Sequence, residues 1–100
     1  MALDESEFSH PQPNLIVSRN GFTVEVKMPS SIQYTEADRQ MQIFAEILAS
    51  AEPRIAVRQQ DLKAWASPHV GTKVSEADRA RVLANIQRAF QFGGWMLAIE

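Results

Sequence analysis

The sequence predicts an α+β fold: a mainly antiparallel sheet of about four to five strands with an N-terminal hairpin, one short helix, and one long C-terminal helix packed on a face. Three observations predict it. Two β-patterned runs flank Asn20-Gly21, within Leu15 to Met28. An apolar stripe at helical spacing follows a capping signal at Ser75. A short apolar run, Trp95 to Ile99, follows Gly93-Gly94.

Taken in order, residues 1–13 read as a flexible N-terminal tail and residues 14–100 as a single α+β domain, since 100 residues suit one core. Pro11 and Pro13 disfavour helix and ladder pairing in the tail. Asn-Gly accepts the positive φ angles of a tight hairpin turn. A two-residue loop there pairs Val17 with Val24 and Leu15 with Val26, which predicts a core face of Leu15, Val17, Val24 and Val26. Pro29 ends the second strand, and Ser30 to Asp38 reads as a connector holding Tyr34. Residues 39–49 fit two patterns. As a strand, Met41, Ile43, Ala45 and Ile47 share a face, with Phe44 and Leu48 on the other; as a helix, Ile43, Phe44, Ile47 and Leu48 form a stripe. The strand is preferred.

Beyond Pro53, Arg54 to Arg58 alternates as a short strand with Ile55 and Val57 inward. Gln60 to Trp65 suits a short helix with Leu62 and Trp65 on one side. Ala66 to Lys73 reads as a loop. Ser75 and Asp78 resemble a capping box, and Glu76 and Asp78 put negative charge at the positive end of the helix dipole. Val82, Leu83, Ile86, Ala89 and Phe90 form the buried stripe, and Gly93-Gly94 stops the helix.

Composition narrows the function. The chain is 45% hydrophobic and 22% charged, which argues against disorder along its length. It has no cysteine, which excludes disulfides, thiolate metal sites and a cysteine nucleophile. The start, MALDESEFSH, lacks the basic and apolar segments of a signal peptide, and no run approaches the ~18 apolar residues of a membrane span. A cytoplasmic location without membrane contact is expected. The net charge of −2 is unevenly placed: Asp4, Glu5 and Glu7 contribute three negative charges, and the rest of the chain is nearly neutral at +1, which argues against a nucleic-acid surface.

No catalytic constellation is visible. His10 and His69 are isolated, and neither an HExxH pair nor a GxSxG elbow is present. Gly93-Gly94 follows a helix rather than opening one, so it is no phosphate loop. No cofactor or metal is expected. Glu46 interrupts an apolar segment, and reads either as a partner-binding or catalytic acid or as an outward-facing residue. Trp65 reads as core or as a partner contact, and Trp95 as core.

The run Leu62-Lys63-Ala64-Trp65-Ala66-Ser67-Pro68-His69, followed by Val74-Ser75-Glu76-Ala77-Asp78-Arg79-Ala80-Arg81-Val82, resembles the immunity protein 74 family of bacterial polymorphic toxin systems. A Trp-x-x-Pro segment there precedes a capped acidic helix start, a helix and a small final strand. Tyr34 and the stretch Arg39 to Leu48, with Glu46, are also similar. Ala66 and Ser67 stand where the family often has an acid and a second proline. The resemblance implies a non-enzymatic protein that neutralises a cognate toxin by direct binding. Its candidate partner-binding residues are Trp65, Pro68, His69 and Glu46. The alternative is a small adaptor or structural subunit acting through protein contacts or self-association. A third reading is a small enzyme using Glu46 and His69.

Overall fold

Backbone alternation and turn chemistry produce far more sheet than the sequence predicts. The structure, a computed structural model, describes residues 7–27, 30–48, 54–66 and 73–100. Seven strands lie in one sheet in chain order: β1 (Phe8–Gln12), β2 (Leu15–Ser18), β3 (Phe22–Lys27), β4 (Ser31–Glu36), β5 (Arg39–Leu48), β6 (Arg54–Val57) and β7 (Met96–Ile99). Neighbours from β1 to β6 pair antiparallel. β7 pairs parallel with β6 after the crossover helix α1 (Glu76–Gly93). The helix contacts β1, β2, β3 and β7, strands from opposite ends of the sheet, so the sheet curls around it as a half-barrel.

This corrects the expected four to five strands with two helices. One added strand is β1, in the residues assigned to the tail. Its one proline, Pro11, is compatible with pairing because β1 is an edge strand, where a missing N–H breaks no second ladder, and because Pro11 falls in the irregular stretch between Ser9 and Gln12. The other is β4, within the expected connector. Its Ile32 and Tyr34 are fully buried, in alternation with half-buried Ser31, Gln33 and Thr35. Glu36 pairs with Arg39 across a two-residue turn in which Ala37 takes φ +52°. Alanine at a positive φ carries no turn signature, which hid this hairpin. The expected short helix at Gln60–Trp65 is also corrected. Gln59–Asp61 form a single 3-10 turn, and the chain then runs on through a bridge between Ala64 and Lys73.

The first hairpin forms, but one residue out of the expected register. Ile16 pairs with Val24 and Val17 with Thr23, which leaves a three-residue loop, Arg19–Gly21. Gly21 takes φ +98° there, the position such loops reserve for glycine. A one-residue slip turns every side chain of a strand over. Ile16 and Ser18 therefore enter the core, while Leu15 and Val17 stay half-buried on the outer face. Buried Ser18 is satisfied by donating its hydroxyl to Glu7 at 3.0 Å.

The strand reading of 39–49 holds. Met41, Ile43 and Ala45 are fully buried on the concave side of β5, and Phe44 and Glu46 face out. The helix also forms as its sequence dictates. Ser75 and Asp78 complete a reciprocal capping box, Gly94 caps the other end at φ +78°, and all five stripe residues are buried. Ile55 and Val57 point inward as expected, each at most 2% exposed.

Candidate functional site

The outer face of β5, β6 and β7 is assembled by register. On β5, period-two alternation sends Gln42, Phe44 and Glu46 outward because the opposite set fills the core. Glu46 pairs with Ala56, and Ala56 with Ala98, so one rung of the outer face carries two alanines. Longer side chains border this rung, and a shallow depression of about 200 Å³ results, lined by Phe44, Glu46, Ala56, Arg58 and Glu100. Phe44 is 54% exposed, the largest exposure among the large apolar residues described.

The charges here divide into paired and unpaired groups. Arg58 is held by Asp61 at 3.2 Å, and its guanidinium carbon lies 6.0 Å from the Phe44 ring centre. Glu46 and the Glu100 side chain have no hydrogen bond or ion pair among the described residues. The depression therefore offers an apolar ring and two uncompensated carboxylates. β7 borders the same face as the last strand of the sheet among the described residues, and its Met96 is exposed there.

A second polar cluster ties the helix to the sheet. Glu36 accepts hydrogen bonds from Tyr34 Oη (2.8 Å), Arg39 Nη2 (2.9 Å) and Arg81 Nε and Nη2 (3.0 and 2.8 Å). Burial raises the Glu36 pKa, but the hydrogen bonds from Arg81, Tyr34 and Arg39 outweigh it and hold the carboxyl below its ordinary value. Burial, and then the Glu36 carboxylate beside it, push the Tyr34 phenol above its ordinary value. Asn85 donates to the Tyr34 oxygen at 2.9 Å. Neither group titrates near neutral pH, so the cluster suits a structural pin rather than proton transfer. No group of three or more His, Cys, Asp or Glu converges on a metal-sized site among the described residues.

Of the candidates from sequence, the two that are described, Glu46 and Trp65, lie apart. Glu46 lies on the outer depression. Trp65 is 1% exposed and packs in the core, with the Arg39 guanidinium 4.3 Å above its ring. Its Nε1 has no acceptor among the described residues. Pro68 and His69 lie outside the described residues. Phe44 shares the outer face of β5 with Glu46, as the strand reading implies; Arg58 and Glu100 join them unannounced.

The profile of the immunity protein 74 family matches residues 18–100. The chain belongs to the immunity protein 74 family. No curated protein and no solved structure matches it. In this immunity protein 74 member, the matched segment contains β3 to β7, α1, the Glu36 cluster and the whole outer depression. β1 and all but the last residue of β2 lie before it. No helix among the described residues is long and apolar enough to cross a membrane.

Proposed function

We propose that this protein neutralises a cognate bacterial toxin by binding it directly in the cytoplasm, without catalysis. Membership in an immunity-protein family over residues 18–100 carries this reading. Two further observations support it. The Glu36 cluster has the electrostatics of a fixed ion-pair network, and the exposed Phe44 is the kind of aromatic anchor that protein interfaces use. The outer face of β5 to β7, with Glu46, is the proposed docking surface. Trp65, buried in the core with the Arg39 guanidinium 4.3 Å above its ring, serves the fold that carries this face.

The test is co-expression with the toxin encoded beside its gene. Growth should be restored, and the two proteins should co-purify at equal stoichiometry. Continued toxicity without a complex would sink the reading.

One observation favours a second reading, self-association. β7 is an exposed edge of four apolar residues, without proline or charge to block pairing. Sedimentation of the chain alone separates the two: a stable dimer that captures no toxin favours the second.

A further inference from the structure

We infer that the depression beside Phe44 receives a cationic side chain, arginine by preference, from the toxin bound on this face. The inference rests on the toxin-binding reading, and adds to it the chemistry of the contact.

The argument is one of charge and shape. Of the five residues lining the depression, three are charged: Glu46, Glu100 and Arg58. Arg58 is already neutralised by Asp61, whose side chain is only 18% exposed, so that pair is partly desolvated. Glu46 and Glu100 have no partner among the described residues. The local excess is therefore negative, in a chain that is otherwise nearly balanced. Half-buried Ala56 keeps the floor low, and about 200 Å³ accommodates one side chain head rather than a whole peptide.

Phe44 narrows the choice of cation. The Arg58 guanidinium already lies 6.0 Å from the Phe44 ring centre, yet Phe44 stays 54% exposed. Its open surface beside two carboxylates suits a second planar guanidinium, whose N–H groups the carboxylates accept. An ammonium gains the charge but not the stacking. Arg54, two residues before Ala56 on β6 and paired with Met96, lies on the same face and bounds the anionic patch on that side. The same charge excess disfavours a nucleic-acid phosphate or an acidic peptide here.

The test uses the full chain and two probes. In the first arm, the isotope-labelled protein is titrated with acetyl-Gly-Arg-Gly-amide, and with the Gln analogue as control. The arginine peptide should shift the amides of residues 44–46, 56–58 and 100. The response should weaken at least about fivefold in Glu46→Gln/Glu100→Gln and at high salt. Shifts elsewhere, an equal response to the Gln peptide, or an unchanged response in the double variant would overturn the inference.

In the second arm, the toxin encoded beside the gene is titrated against wild type, the double variant and Glu25→Gln, an outer-face acid on β3. The double variant should bind about tenfold or more weakly, and Glu25→Gln like wild type. Equal binding by wild type and the double variant overturns the inference while leaving the toxin reading intact. No toxin binding by wild type removes the toxin reading, and the peptide arm alone then decides whether the depression is a cation site. Glu46 and Glu100 have no partners among the described residues to lose, so the double variant should keep the wild-type melting temperature, which is checked first.

Discussion

Arg81, in the second turn of α1, grips Glu36 at the end of β4 with two nitrogens, at 3.0 and 2.8 Å, across 45 residues of chain. Arg39 from β5 reaches the same carboxylate at 2.9 Å. Two guanidiniums and the Tyr34 hydroxyl thus converge on one acid, and this fixes the helix against the turn between β4 and β5. Arg81 also bonds Asp78 at 3.0 Å, which links the pin to the helix cap.

Glu36→Gln should therefore destabilise the fold by about 1–2 kcal/mol at pH 7, because the charge that strengthens these hydrogen bonds is lost. The pH dependence follows from the direction of the shift. The folded Glu36 carboxyl titrates below its ordinary value of 4.5, as does that of Glu7, so the unfolded chain binds more protons in acid. Their stabilisation is fully present above about pH 4.5 and falls away as pH drops through the folded values. Urea midpoints of wild type and Glu36→Gln at pH 7, 5, 4 and 3 check this. The gap between them should narrow below about pH 4.5; a constant gap would contradict the assignment.

Ser75→Ala should cost about 1 kcal/mol, and lower the melting temperature by roughly 4–8 °C. Its hydroxyl accepts the Asp78 N–H at 3.0 Å, and the Asp78 carboxylate accepts the Ser75 N–H at 3.2 Å. The Ser75 hydrogen bond is also the first cause holding the Asp78 carboxyl below its ordinary value. Asp78→Asn should weaken the same end of the helix and remove one partner of Arg81. A thermal melt by circular dichroism reads both. An unchanged midpoint for Ser75→Ala would mean that the cap contributes nothing to the fold.

The helix and three strands were legible because their signals are local. Ser75 with Asp78, the stripe Val82 to Phe90, and the alternation in β3, β5 and β6 each lie within one element. The misread elements depend on distant partners. Ile16 and Val17 are equally apolar, and Asn20-Gly21 suits loops of two or three residues, so the hairpin alone does not set its register. In the observed register the Glu7 carboxylate accepts the Ser18 hydroxyl, which makes Ser18 tolerable inside beside Ile16. β4 ends in an alanine turn. β7 forms where the sequence predicts it, but its parallel pairing with β6 depends on the helix crossover. The site shared this fate. Glu46 stood out within an apolar run, but Arg58 and Glu100 reach it only through the pairing of β6 with β5 and β7.

The two tryptophans should separate by fluorescence. Trp65 is 1% exposed, whereas Trp95 is partly buried and meets Phe90 and His10 edge-on at 5.2 and 5.6 Å. Trp95→Phe leaves Trp65 as the reporter, and its emission should be blue-shifted and resist acrylamide. Trp65→Phe should leave a redder, more quenchable signal from Trp95. Trp65→Ala should cost about 3–5 kcal/mol, a large part of the stability of a domain this size. Equal quenching of the two single-tryptophan variants would contradict the burial of Trp65.

Adjacent residues on β5 should give opposite outcomes. Ile43 is fully buried, and Phe44 is 54% exposed on the outer face. Ile43→Ser exchanges core packing for a hydroxyl and should destabilise by about 3 kcal/mol or more. Phe44→Ser removes a side chain that stands mostly in water, so its stability should stay within about 0.5 kcal/mol of wild type. Toxin affinity, by contrast, should fall by about 2 kcal/mol, roughly 30-fold, if Phe44 is the anchor of the docking face. Thermal melts and calorimetric titration of the toxin read the two effects separately. A stable Phe44→Ser that binds toxin with wild-type affinity would move the interface away from β5, whatever becomes of the fold assignments around it.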